Sequence, residues 1–261
     1  MNIRGITDTL ALINIYICFN RNYMRIALIG YGKMGKAIEE IALNRGHQIV
    51  LKFDVPNLHE FTAENLKGAD VAIEFTGPES AVENISKCLE WKIPIVSGST
   101  GWTEQLDAMK AKTIENNTGF VYSSNFSIGV NLFFELNKKL ASLMTAHTEY
   151  EVILEEIHHT QKKDAPSGTA ITLAEQVLEQ IKRKKQWVNN LSDHPEDLEI
   201  ISQREDPAPG THSVKYSSAI DTIEIIHTAH NRKGFAGGAV LAAEFIAGKK
   251  GFFTMKEVLG L

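Results

Sequence analysis

The densest chemistry in this 261-residue chain lies in the stretch EEIHHTQKKDAPSGTA, from Glu155 to Ala170. A strand ends in two histidines, a polar loop carries two lysines and an aspartate, and Pro-Ser-Gly-Thr opens a helix. His158 or His159 can change charge near neutral pH, as a general acid or base must. Side chains alternate along a strand, so one of the pair at most faces a given pocket. Lys162 or Lys163 adds compact positive charge. Ser167, Gly168 and Thr169 at a helix start offer N–H and hydroxyl donors to an anion such as a carboxylate. Taken singly, Ser167 or Thr169 could be a plain helix cap and the lysines a solvated pair. It is the convergence of base, cation and anion site in one short segment that points to chemistry.

A second pattern stands near the start. Gly30, Tyr31, Gly32, Lys33, Met34 and Gly35 spell GxGxxG between an expected strand and an expected helix. The first glycine permits the tight turn, the second lets a pyrophosphate approach the backbone, and the third allows close helix–strand packing. Asp54 ends the next strand, 24 residues after Gly30, where a ribose hydroxyl partner belongs. Two further loops leave strands on the same edge, Gly77-Pro78 after Phe75-Thr76, and Gly98-Ser99-Thr100-Gly101. Small residues there can admit a nicotinamide and its ribose, since ligands of open α/β sheets sit beyond the strands' carboxyl ends.

Metal is not expected. His158, His159, His212, His227 and His230 are the available histidines, but there is no thiolate pair and no HExxH. His227 and His230, three apart on an apparent strand, should face opposite ways.

The elements that would position these residues fall into two groups. Strands at 24–30, 48–53, 69–75, 93–96 and 120–122 alternate with helices at 33–44, 78–91 and 103–115, the rhythm of βαβ units and a parallel sheet. After Asn125 come a helix (128–144), a long strand (149–158), a helix (169–184) and a polar stretch (185–198). Strands then follow near 199–204, 212–216 and 221–229, joined by loops, which predicts an α+β layer with antiparallel or mixed pairing. A small-residue helix at 236–247 should return to the first domain, leaving 252–261 as a tail. The expected division is 24–125 with 233–261 for the dinucleotide domain, and 126–232 for substrate binding and oligomerisation. Residues 1–23 read as an extension of doubtful role, with Met24 the start of the fold.

Composition narrows the classes. Hydrophobic residues make up 43% and charged residues 23%, ordinary for a globular chain. A net charge of −5 gives no basic face for nucleic acid. The apolar run at 10–19 has half the roughly 20 residues a membrane span needs. Cys18 and Cys88 form no CxxC, so a reduced, cytoplasmic setting is expected.

The segment Glu156-Ile-His158-His159, followed by Lys162 and Asp164-Ala-Pro-Ser167-Gly168-Thr169-Ala170, resembles the signature of the dihydrodipicolinate reductase family of lysine and diaminopimelate synthesis. The likeness continues through the glycine loop, through Gly98, Ser99 and Thr100, and through Ser124-Asn125-Phe126-Ser127 with Gly129-Val130-Asn131. It ends with Gly210-Thr211-His212, Asp221, Glu224, His227, Arg232, Phe235 and Gly238-Ala239 in the family's order. The resemblance implies a Rossmann-type domain joined to an α+β domain, commonly in a homotetramer. It also implies NADH- or NADPH-dependent reduction of a cyclic dicarboxylate imine, with loss of water. It would make His158 the proton donor/acceptor and Lys162 the proton donor. His159, Ser167, Gly168 and Thr169 would hold substrate, while the glycine loop, Asp54, Gly98 to Thr100 and Ser123 to Phe126 would hold cofactor. Asp54, with no cation in the loop after it, favours NADH modestly; Lys52 or Lys33 could still meet a 2′-phosphate. The competing readings are another two-domain dehydrogenase acting on an amino acid, and a nucleotide-sensing protein without catalysis.

Overall fold

The computed structural model describes residues 23–231 and 233–261. The expected extension, save Tyr23, and Arg232 lie outside them. Two compact units result: 23–122 with Ala239–Thr254, and Ser123–Gly238 with Met255–Leu261.

The first unit is built on a six-stranded parallel sheet in the order β11-β5-β4-β3-β1-β2. Its strands are β1 (Arg25–Ile29), β2 (Gln48–Phe53), β3 (Val71–Glu74), β4 (Ile95–Ser97), β5 (Gly119–Tyr122) and β11 (Gly251–Phe253). All four residues of β3 are buried, as expected of a strand covered on both faces. Helix α1 (Lys33–Asn44) buries Gly35, Ile38 and Ala42. A single turn, α2 (Ala63–Leu66), precedes β3. Helix α3 (Pro78–Glu90) buries Ala81, Ile85, Cys88 and Leu89, one stripe of a 3.6-residue period. Each large aliphatic side chain there contributes about 1.5–3 kcal/mol by leaving water. Helix α4 (Leu106–Glu115) is preceded by a 3₁₀ turn at Thr103–Gln105, so the expected helix at 103–115 starts late.

The second unit holds a five-stranded sheet, order β10-β9-β6-β8-β7. Central β6 (Glu151–His158) pairs parallel with β8 (Asp197–Arg204) and antiparallel with β9 (Thr211–Ser217). Edge strands β7 (Gln186–Val188) and β10 (Thr222–Thr228) complete it. The sheet is therefore mixed. Helix α6 (Gly168–Gln180) carries the chain from β6 to β7 and β8, and such a crossover produces parallel neighbours. Helices α5 (Ile128–Met144) and α6 pack on each other, and α6 also packs on β6 and β8. Along β6, Val152, Leu154, Glu156 and His158 are buried, alternating with more exposed residues. The strand's period of two thus sets Glu156 and His158 on its core face and His159 outside that run.

Three expectations need correction. Residues 252–261 are no mere tail: β11 pairs with β5, Phe252 packs edge-on against Phe120, and α8 (Met255–Leu259) packs on α5 of the second unit. A three-residue strand is too short to show a period. The polar stretch after α6 contains β7, and α6 itself stops at Gln180, because Ile181 leaves helical geometry. Helix α7 (Lys233–Ile246) passes from the second unit to the first at Gly238/Ala239, while the earlier division falls at Tyr122/Ser123. Among the described residues no helix is long and apolar enough to cross a membrane.

Candidate active site

In the first unit the glycine turn opens α1 at the carboxyl end of β1. Gly30 has φ +92°, and a Cβ there would meet the Phe75 carbonyl oxygen at 2.2 Å. Only glycine satisfies both conditions. A Cβ on Gly35 would lie 2.3 Å from the Gly30 oxygen, whereas one on Gly32 would meet nothing within 4 Å. Backbone packs closely behind the turn and is open in front of it, as a pyrophosphate requires. A cavity of about 450 Å³ opens here, lined by Gly32, Lys33 and Met34 on one side and Gly98, Ser99 and Thr100 on another. Phe75, Thr76, Gly77 and Pro78 close the third side. The residues present fit a dinucleotide.

Beneath these loops sits Glu74, fully buried. Its Oε1 accepts from the Thr76 N–H at 2.8 Å and from the hydroxyls of Thr76 and Ser99, the latter at 2.6 Å; its Oε2 accepts from the Ser97 hydroxyl. One carboxylate therefore ties the loop after β3 to the loop after β4. Sequence reasoning passed over Glu74 because it reads as part of a buried apolar strand.

Asp54 and Ser123 to Phe126 do not line this cavity. Asp54 is exposed at the end of β2, where its carboxylate accepts from the Val55 N–H at 2.9 Å. Tyr31 donates its hydroxyl to Glu39, and Lys52 lies 4.8 Å above the Tyr31 ring with its ammonium 2.7 Å from Glu39. Ser123 to Phe126 fold into a turn that opens the second unit, the Ser123 hydroxyl donating to the Asn125 carbonyl at 2.8 Å.

The second unit gathers the histidine–lysine cluster. In the register of the sheet, Glu156 stands between Ser202 on β8 and His212 on β9, and His158 lies beside Arg204. Glu156 accepts from the Ser202 hydroxyl at 2.7 Å and from the Ser167 N–H at 3.1 Å to each oxygen, with the Arg204 guanidinium at 3.4 Å. Burial alone would raise its carboxyl, but hydrogen bonding from His212, Ser167 and Ser202 outweighs that and holds it well below the ordinary range. His158 is 7% exposed, with Nδ1 3.5 Å from Glu156. Burial first, and then the charge of neighbouring His212, pushes it down to about 4. At neutral pH it is a neutral imidazole. Lys162 extends its ammonium between both oxygens of Asp164, at 2.9 and 2.8 Å, while Lys163 is exposed. Arg204 also donates to the carbonyls of Lys162 (3.3 Å) and Asp164 (2.6 Å), so one guanidinium secures the loop and the buried carboxylate together.

Ser167 caps α6: its hydroxyl accepts from the Ala170 N–H at 3.2 Å. The N–H groups of Gly168 and Thr169 have no acceptor within the helix and form its anion-facing end. Thr169 also accepts from the Asn125 side chain at 3.4 Å. His159 carries its carbonyl to the Lys162 N–H at 3.1 Å, closing the loop's first turn.

The histidines do not assemble as the sequence offered them. His158 and His212 come together with Glu156, their ligand-type atoms within 4.8 Å of one another, whereas His227 lies against Phe133 in a tilted ring contact and His230 lies beyond the end of β10. Glu156 offers that trio a carboxylate already occupied by Arg204, one N–H and one hydroxyl.

A parallel sheet with a glycine-turn cavity, joined in one chain to a unit bearing a buried imidazole and a poised ammonium, defines an oxidoreductase that uses a nicotinamide cofactor. The chain belongs to the dihydrodipicolinate reductase family: the family's N-terminal model matches residues 24–126 and its C-terminal model residues 129–259. A 4-hydroxy-tetrahydrodipicolinate reductase from Christiangramia forsetii is 52% identical over 240 residues, covering 90% of this chain and 98% of the relative. One from Methanoregula boonei is 35% identical over 198 residues, covering 75% and 76%. Among solved structures, the dipicolinate-bound dihydrodipicolinate reductase from Paenisporosarcina sp. TG-14 superposes with a TM-score of 0.72 at 25% identity, covering 90% of this chain and 98% of that one.

Proposed function

We propose that the chain reduces 4-hydroxy-tetrahydrodipicolinate to tetrahydrodipicolinate with NADH or NADPH. Water leaves the substrate, a hydride reaches the resulting unsaturated ring, and a proton completes the addition. The cofactor supplies the hydride when bound. This chain supplies the proton and the charge. Lys162, an ammonium held by Asp164, is the proton donor, and neutral His158 is placed to accept and return a proton beside it. Gly168 and Thr169 take up one substrate carboxylate through their N–H groups, with Ser167 fixing their geometry and His159 at the edge. In the first unit, Gly30 to Gly35 and Gly98 to Thr100 hold the cofactor, with Asp54 at its ribose end. The observation that carries this reading is the ammonium of Lys162 on the loop leading to an anion-facing helix start, in a chain alike to the Christiangramia forsetii reductase over 90% of its length.

NADH is favoured modestly: Asp54 offers a carboxylate to ribose hydroxyls, and Lys52 is engaged by Glu39. The enzyme works in the cytoplasm as a homotetramer assembled through the second unit's sheet. Edge strand β10 supports this, leaving Ile223 and Ile226 exposed, the latter at 59%. Calorimetric titration of the NADH-loaded protein with dipicolinate tests the substrate reading. One site per chain is expected for this cyclic dicarboxylate, with no binding of acetate. Failure to bind dipicolinate contradicts it.

A further inference from the structure

Glu156 is wholly buried, and no step above requires it. A carboxylate persists at such depth only when its oxygens are met by cations and hydrogen bonds. Here Arg204 and Ser202 come from β8, the Ser167 N–H from the start of α6, and His212 from β9. His212 Nε2 lies 3.6 Å from Glu156 and 3.0 Å from the Ser167 hydroxyl. Ser167 is therefore fastened at three points, its N–H on Glu156 and its hydroxyl on both Ala170 and His212. Turned inward in this way, it leaves the amides of Gly168 and Thr169 as the outward donors. His158 stands against the same oxygen of that carboxylate, its Nδ1 3.5 Å from Glu156 Oε2. Its ring is 5.0 Å from that of His212, and backbone at Gly210 closes over it, where a Cβ would lie 3.1 Å from Nε2. Among the described residues, both imidazoles carry a buried Nδ1 with no hydrogen-bond partner.

We propose that Glu156 and His212 form a buried positioning pair for the reduction. Together they lock Ser167 inward, so that the Gly168 and Thr169 amides meet the substrate carboxylate, and they fix the ring of His158. The inference rests on the substrate reading above and assigns positions to residues that reading leaves idle. The groups facing His158 are Glu156 on its own strand, Lys162 in the following loop, Arg204 on β8 and His212 on β9. Removing His212 takes away one of the charges that oppose protonation of His158.

The test uses the full chain with His212→Asn and Ser167→Ala, and Glu156→Gln where it folds. Dipicolinate and NADH affinities are measured alongside the ring-proton titration of His158 by NMR, assigned by its loss in His158→Asn. In His212→Asn, dipicolinate affinity should fall about tenfold or more. NADH affinity should hold, and the His158 midpoint should move upward. Ser167→Ala should reproduce the affinity loss without moving that midpoint. Dipicolinate affinity unchanged in His212→Asn, or a His158 midpoint that stays in place, overturns the proposal. If the wild type binds no dipicolinate, the substrate reading fails, and the His158 titration still decides whether His212 acts on it.

Discussion

The ammonium of Lys162 sits between the two carboxylate oxygens of Asp164, 2.9 and 2.8 Å away, only two positions along the chain. Asp164 in turn titrates below its usual range, chiefly because of that hydrogen-bonded lysine. The pair fixes one of two adjacent lysines at the site and leaves the other in solvent. Lys162→Ala should lower kcat by about 10²–10⁴-fold, the usual cost of a positioned acid, and Lys163→Ala should be mild. Steady-state kinetics on both variants check this; equal losses would mean the wrong lysine has been assigned.

Stability should depend on pH through His158. Its folded value of about 4 lies below the ordinary 6.5, so between these values the unfolded chain binds the extra proton. The stabilisation is present above 6.5 and is lost as pH falls toward 4, with a slope of up to about 1.4 kcal/mol per pH unit. Glu156, held low, acts in the same sense below its ordinary value, losing its contribution as it is protonated. Urea denaturation between pH 7 and pH 5 should show a steeper decline in the wild type than in His158→Asn. Parallel declines would contradict the burial of a neutral imidazole.

Glu74 should act on cofactor and not on substrate. Glu74→Ala frees the Thr76 and Ser99 loops it ties together, so NADH affinity should weaken about tenfold while dipicolinate affinity changes little. Fluorescence titration with NADH measures the first and calorimetry the second. An unaltered NADH affinity would show that the two loops hold their shape without the carboxylate.

Cofactor preference should move with Glu39. Its carboxylate engages Lys52 at 2.7 Å and also accepts from Tyr31. Glu39→Gln releases the Lys52 charge near the ribose end of the turn, so the ratio of kcat/KM for NADPH over that for NADH should rise several-fold. A ratio that stays constant would assign preference to residues other than Lys52.

The parallel sheet was legible because its signals are local: a buried strand, a glycine turn and an amphipathic helix each fit within a dozen residues. The cluster around Glu156 was not. Glu156 and His212 are 56 positions apart and meet only because β6 and β9 pair in a register that sets them opposite each other. Nothing in the spacing of five histidines distinguishes His212 from His227, which ends against Phe133. Arg204 likewise gains its role from the parallel pairing of β8 with β6, a neighbour relation created by the α6 crossover. The alternation along Glu156, Ile157, His158 and His159 did indicate that at most one histidine of the pair would face a given pocket. Burial of Val152 and Leu154 on the same face decides that it is His158.

The central claim is the reaction itself, and one assay reaches it directly. Aspartate semialdehyde and pyruvate are condensed by the preceding synthase to generate 4-hydroxy-tetrahydrodipicolinate in place, and NADH oxidation is followed on adding this protein. The account predicts oxidation that depends on both precursors, forms tetrahydrodipicolinate in equal amount, and all but vanishes with Lys162→Ala. NADH oxidation that is absent, or that proceeds equally without the precursors, would contradict it.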